Sequence, residues 1–217
     1  TVAALSEGAH TVSISSMDAI NSTWGPAATI TLTVDKTGPT ASSVGAAPNP
    51  NNGTLPINST DQAVRVTATF DDSSSGNGNV VAGEGFVDVI GTNGTGFTFI
   101  ANDGVFNSPS ESGYADIPLV VINSLSSGSH TIHVHGKDSA GNWGTLGTLT
   151  LDIDRTPPAI LSLDRGDPDP TSAASVNFLV TFSEAVTGVT ASNFSLAQAG
   201  GLTGASITSV TGTGATR

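Results

Sequence analysis

Apolar and polar positions along the chain alternate mostly with a period of two. AVRVTATF (63–70) puts Val64, Val66, Ala68 and Phe70 on one face, with polar or small residues between them. That is the pattern of a half-buried strand. HTVSI (10–14), TITLTV (29–34), HTIHV (130–134), TLTLDI (148–153) and SVNFLVTF (175–182) alternate in the same way. GFVDVI (85–90), GFTFIA (96–101) and DIPLVVI (116–122) read as further strands. Between them lie two long polar stretches rich in Gly and Ser, DDSSSGNGN (71–79) and NDGVFNSPSESG (102–113), which read as loops. The prediction is an all-β fold.

Two segments match each other. LSEGAHTVSISSMDAINSTWGPAATITLTVDKTGP (5–39) and LSSGSHTIHVHGKDSAGNWGTLGTLTLDIDRTPP (125–158) share L-S-x-G-x-H-T, an Asp, W-G, T-x-T-L and D-x-T-x-P. The period is about 120 residues, the size of one β-sandwich domain with generous loops. Each copy holds an alternating strand, an Asp-led turn, a Trp-Gly step and a second alternating strand. Pro39 and the pair Pro157–Pro158 then close the unit, because proline cannot continue a central ladder. Three parts are therefore expected. Residues 1–34 are the last two strands of one domain, 35–154 a complete domain, and 155–217 the opening of a third that stops inside a hairpin. A cut from a longer array is the preferred reading of these ends; the alternative is strand donation between neighbouring chains, since the first part would supply the kind of closing strands that the third lacks.

The motif G-x-H-T-[VI]-x-[VI]-x-x-x-D, continued by W-G and D-x-T-x-P, resembles the bacterial immunoglobulin-like repeats of large surface proteins, adhesins and extracellular enzymes. VTFSEAVTGVTASNFSL (180–196) with ASITSVTGTG (205–214) resembles a second subtype of such repeats. The resemblance implies tandem immunoglobulin-like β-sandwich domains on the outside of a cell. It implies a non-catalytic spacer or adhesin stalk whose partners are neighbouring repeats of the same chain and a host or cell-surface glycan or protein. An accessory binding module of a secreted enzyme, with loops 71–79 and 102–113 as its rim, is the alternative. A self-assembling surface lattice or filament is a third.

Composition agrees with the β reading. Charged residues make up 11% of the 217 positions and aromatics 5%, so the long helix formers are scarce. The formal charge of −12 comes without a basic cluster, which argues against nucleic acid and against an anionic membrane surface. The same surplus would attract divalent cations. No cysteine is present, which removes disulfides, thiolate metal sites and cysteine nucleophiles. No apolar run has the length of a membrane helix.

Candidate chemistry is sparse. H-x-x-H-x-H-G (130–136) has the look of half a copper site, but the first copy has Ser13 and Ser15 where His133 and His135 stand. The histidines are therefore read as a polar strand face. His10 and His130 share a place just before the strand and are expected to bond a nearby backbone group. Trp24 and Trp143 are expected to pack near a domain end. D-R-G-D-P-D-P (164–170) is read as a charged turn, and Asp71–Asp72 as a solvated one.

The carboxylates carry the one site expectation. Asp138 opens the D-S-A-G-N turn, Asn142 ends it, and Asp154 lies at the exit of the next strand. Both aspartates are expected at one pole, beside the linker to the next domain, where Ca²⁺ would find several oxygen ligands. Some repeats of the family that the chain resembles bind calcium at such junctions. That likeness assigns the role to Asp138, Asn142 and Asp154, and by the first copy to Asp18 and Asp35. The competing reading makes Asp138 an Asx-turn former and Asp154 a linker cap. No nucleophile elbow, phosphate loop or zinc-protease motif is present, so a non-enzymatic role is expected.

Overall fold

A computed structural model describes residues 4–198, 200 and 203–217. The chain divides into two compact units, Thr1–Arg155 and Thr156–Arg217. In chain order the first holds β1 (Gly8–Ile14), β2 (Ala28–Val34), β3 (Thr40–Ala47), β4 (Ala63–Asp71), β5 (Val80–Val87), β6 (Phe97–Thr98), β7 (Ile100–Ala101), β8 (Ser110–Pro118), α1 (Leu119–Ser124), β9 (Gly128–Asp138) and β10 (Gly147–Ile153). The second holds β11 (Ile160–Arg165) and β12 (Phe178–Phe182). Among the described residues no helix is long and apolar enough to cross a membrane.

Residues 40–153 make two four-stranded antiparallel sheets, ordered β3-β4-β8-β7 and β10-β9-β5-β6. They share one core. The alternation in 63–70 is realised as expected: Val64, Val66, Ala68 and Phe70 of β4 are all buried. Ala115 and Ile117 of β8 join them, and the other sheet contributes Val80, Ile132, Val134, Leu151 and Ile153. Each large aliphatic or aromatic side chain buried here contributes roughly 1.5–3 kcal/mol relative to exposure. The Phe70 ring meets Phe99 edge-on at 5.2 Å and Phe106 at 6.2 Å.

Several expectations about elements change; GFVDVI is strand only to Val87, and SVNFLVTF only from Phe178. GFTFIA divides between the sheets: Phe97 pairs with β5 and Ile100 with β8, and Phe99 between them is buried in the core. DIPLVVI is a strand only to Pro118, after which LVVINS forms a single helical turn that buries Ile122. A short apolar run has no periodicity to separate strand from helix, and Pro118 cannot extend the ladder. The stretch 102–113 is shorter as a loop than it looks, since β8 begins at Ser110.

The β1–β2 ribbon forms its own two-stranded sheet. It pairs Gly8 with Val34 and Val12 with Ile30, and the β9–β10 hairpin pairs Gly128 with Ile153 and Ile132 with Leu149. Matching sequence positions thus face each other in both hairpins. In the second unit, β11 and β12 pair antiparallel with a bulge at Leu161; Val180 of β12 exchanges backbone hydrogen bonds with Arg217, and the Phe182 N–H donates to the Ala215 carbonyl. The R-G-D triplet is tied down: Arg165 pairs with Asp169, and Asp167 accepts the Asn177 N–H.

Candidate metal centre

Three chain ends converge at one pole of the two-sheet domain. β2 ends at Val34 and hands over to Asp35. β4 ends at Asp71 and is followed by Asp72. β9 ends on Asp138, which pairs with Val80 at the start of β5. One ligand oxygen from each of Asp35, Asp72 and Asp138 lies within 4.8 Å of the other two. Asp72 is 0% and Asp138 1% exposed, and Asp35 is half-buried.

The local sequence explains the arrangement. After β4 the chain turns through DSSSGNGN, and Asp72 organises that turn. Its Oδ1 accepts the Ser75 hydroxyl at 2.8 Å, and its Oδ2 accepts the Gly78 N–H at 2.6 Å. Gly76 has φ +125°, and a Cβ placed on it would collide with the Asp35 carboxylate. Glycine at 76 therefore serves both the turn and the close approach of the linker. On the other side, Asp138 Oδ1 accepts the Asn142 N–H at 2.8 Å, closing the D-S-A-G-N turn. The Asn142 amide nitrogen donates to Asp138 Oδ2 at 2.8 Å and points to the Asp35 carbonyl at 3.3 Å.

The linker that carries Asp35 is wedged in place. Gly38 and Pro39 are buried, and a Cβ on Gly144 would overlap the Pro39 carbonyl. Gly144 is in turn held from below. Its carbonyl lies 3.3 Å from His135 Nδ1, and His135 Nε2 lies 2.9 Å from Glu84 Oε1. Glu84 and His135 are both buried, and Trp143 lies against the imidazole with ring centroids 4.6 Å apart. A chain of contacts thus runs from the sheet through His135 and Gly144 to the linker.

Electrostatics make this pole costly without a cation. Burial pushes the Asp35 carboxyl above its ordinary 3.8. The charges of Asp138, Asp72 and Glu7 push it further, and the Thr37 N–H offsets part of the rise. Asp35 Oδ2 is buried and has no hydrogen-bond partner. Among the described residues none of the ion pairs reaches these three aspartates. Two carboxylates at such a separation repel by about 3 kcal/mol at an effective dielectric constant near 20. A hard divalent cation bound by oxygens is the chemistry that relieves this, with three carboxylates supplying part of the six to eight oxygens calcium takes.

The structure sorts the sequence-predicted residues. Asp138 and Asp35 come together, and Asn142 joins them as a brace, since it turns its amide nitrogen to the carboxylates. Asp154 lies elsewhere. β10 runs antiparallel to β9, so Ile153 pairs with Gly128 while Asp138 is ten residues further along β9. Ten residues of strand span roughly 33 Å. Asp154 is at the opposite pole, where its N–H bonds the Asn51 carbonyl at 2.9 Å. Asp18 is exposed in the first copy's turn, where its Oδ1 accepts the Ile20 N–H at 2.7 Å. Asp72 is the residue sequence reasoning missed. It reads as solvated because its partners are 37 and 66 positions away, yet an Asp directly after a strand and before a Gly-rich turn was the available signal.

The histidines also depart from a polar strand face. His135 is buried on Glu84, and His133 Nδ1 is buried without a hydrogen-bond partner. His10 and His130 do bond backbone groups, Ser6 O at 2.7 Å and Ser126 O at 2.9 Å. Trp143 packs as expected, whereas Trp24 is exposed.

His130 adds an ion pair with Asp88 at 2.7 Å. The Asp88 hydrogen bond raises the His130 pKa from its ordinary 6.5, the Ser126 carbonyl helps, and burial opposes. A raised histidine stabilises the fold in full below about 6.5 and loses that contribution as pH rises through its folded value. Asp88→Asn should therefore cost about 1 kcal/mol at pH 5.5, given the half-exposed carboxylate, and much less at pH 8.5. Urea unfolding of both proteins at the two pH values checks this.

No family model matches the chain, and no curated protein matches it. Fold and site together define an all-β protein with a sandwich-like core and a three-carboxylate pole where the β2–β3 connection meets the two sheets.

Proposed function

We propose that this chain is a non-catalytic spacer or adhesin stalk of an extracellular protein, built of immunoglobulin-like repeats and stiffened by calcium where one repeat follows another. One observation carries the reading. The linker residue Asp35 is folded onto Asp72 and Asp138 of the domain that follows it, with a buried carboxylate oxygen left without a hydrogen bond. A cation there ties Asp35 to the domain and adds to the packing of Gly38 and Pro39 against Gly144. Glu7, whose Oε2 accepts the Thr37 hydroxyl at 2.6 Å, brings the preceding ribbon to the same place. The resemblance of the G-x-H-T and D-x-T-x-P motifs supports the repeat class, and the −12 charge suits an exposed, cation-attracting surface.

The binding-module alternative is weakened, since loop 71–79 is occupied in shaping Asp72 and loop 102–113 is shortened by β8. Hydrogen exchange tests the stalk reading at the joint itself. Amides of residues 35–38 should exchange at least tenfold more slowly in calcium than in EDTA, while those of β4 and β8 change little. Equal exchange of the linker in both conditions would remove the stiffening role.

A further inference from the structure

An asparagine followed by glycine is the step of a polypeptide most prone to lose its side-chain amide. The Gly nitrogen attacks the Asn Cγ, an N–C bond forms, and the bond from Cγ to Nδ2 breaks. Ammonia leaves with the proton that the Gly nitrogen gives up. Water then opens the cyclic imide on either side, giving aspartate or isoaspartate. The chain holds three such steps, Asn52–Gly53, Asn77–Gly78 and Asn93–Gly94, and all three asparagines are exposed to water. A side chain at the second position would crowd the attack, but the fold requires glycine there. Gly53 and Gly94 have φ of +91° and +87°, and a Cβ on Gly78 would lie 2.9 Å from Asp35 Oδ2.

In every one of the three, a buried acceptor holds the attacking nitrogen. The Gly53 N–H donates to Asn51 Oδ1 at 2.7 Å, the Gly78 N–H to Asp72 Oδ2 at 2.6 Å, and the Gly94 N–H to Glu84 Oε1 at 2.8 Å. These acceptors are 2%, 0% and 3% exposed. Each is anchored by bonds of its own. Asn51 donates its amide to the Leu55 carbonyl at 2.7 Å, and its backbone bonds Asp152 and Asp154. Asp72 Oδ1 takes the Ser75 hydroxyl, and Glu84 takes His135 and the Gly96 N–H. We infer that Asn52, Asn77 and Asn93 are deamidation sites that these three acceptors hold shut.

Two effects close the path. A fixed acceptor pins the peptide plane, so the nitrogen does not turn toward Cγ. The negative charge left on the nitrogen when its proton departs would also face a carboxylate at Asp72 and Glu84, and the amide oxygen dipole at Asn51. The arrangement gives two buried carboxylates, Asp72 and Glu84, donors that offset their desolvation. It also guards the surface charge and the turns. Each deamidation adds a negative charge to a chain already at −12, and isoaspartate lengthens the backbone of its turn by one carbon. At Asn77 that change would fall inside the turn that shapes Asp72, whose carbonyl accepts the Asn77 N–H at 2.9 Å.

Ageing the full chain in EDTA at mildly alkaline pH, followed by peptide mass mapping, tests this. All three asparagines should react at least about tenfold more slowly in the folded chain than in urea, the factor that one hydrogen bond to a buried acceptor supplies. Asn51→Ala, Asp72→Ala and Glu84→Ala should each speed their own asparagine by about that factor and leave the other two slow. A variant that unfolds speeds all three together, so the two untouched asparagines report folding in every sample. Glu84→Gln keeps an acceptor oxygen and should keep Asn93 slow. Amide hydrogen exchange of Gly53, Gly78 and Gly94 in the wild type needs no variant, and the order of their opening should match the order of deamidation. Folded wild type reacting as fast as the chain in urea overturns the inference. So does a folded variant whose own asparagine stays slow, or an exchange order unrelated to the order of reaction.

Discussion

Calcium at about 10 mM will raise the unfolding midpoint of the first unit by roughly 5–10 °C over its value in EDTA. At a dissociation constant of about 0.1 mM, the tight end for extracellular modules, a hundredfold excess of calcium stabilises by about 2.7 kcal/mol. A unit of this size gains roughly 2–4 °C per kcal/mol. Two substitutions separate a ligand from a turn former. Asp35→Asn should abolish the calcium response and raise the midpoint in EDTA, because it removes one of three mutually repelling charges. Asp138→Ala should also abolish the response but lower the midpoint in EDTA, since the turn to Asn142 is lost with it.

The pH dependence follows with a definite sign. Asp35 is raised in the folded state, so the metal-free fold binds its proton more tightly than the unfolded chain does. Its contribution to stability falls as pH rises from the ordinary aspartate value through the folded one. The stability difference between wild type and Asp35→Asn in EDTA should therefore grow across that window and then level off. Calcium should reverse the advantage of the variant.

Replacing His135 by Ala will destabilise the first unit by about 1–3 kcal/mol, the cost of removing a buried hydrogen bond to the Glu84 carboxylate together with the packed ring. Glu84 and His135 side chains are 4% and 5% exposed, so little solvent reaches the carboxylate left behind. Burial raises the Glu84 carboxyl, but the N–H groups of Gly94 and Gly96 and the imidazole outweigh it and hold it below its ordinary 4.5. The stabilisation is thus present above that value and lost as pH falls through the lower folded one. Because His135 also faces the Gly144 carbonyl, and Gly144 abuts Pro39, the variant should bind calcium more weakly than wild type. Denaturant unfolding gives the first number, and a calcium titration of the still-folded variant gives the second. Unchanged calcium affinity would show that the linker is positioned without His135.

Much of the fold was legible because strand alternation is local. Val64, Val66, Ala68 and Phe70 announce their face within eight residues, and the matched hairpins announce themselves by their shared letters. What failed to show depended on distance or on a single residue. Pro118 converts a strand into a helical turn, and Phe99 carries one short segment from sheet to sheet. The site was half legible. Asp138 and Asp35 stand in the repeated motif, but nothing local says that the linker before a domain, and not the one after it, meets Asp138. Antiparallel pairing decides that by sending Asp154 to the far pole. Asp72 was hidden because only the end-to-end convergence of β4 and β9 gives it partners.

The most direct test is a calorimetric titration of the metal-free chain with CaCl₂ at neutral pH, beside Asp35→Asn. The account predicts saturable binding in the wild type, with a dissociation constant of roughly 0.1–1 mM, that the variant loses. Absence of binding at millimolar calcium, or equal binding by both proteins, would contradict a junction ion held by Asp35, Asp72 and Asp138.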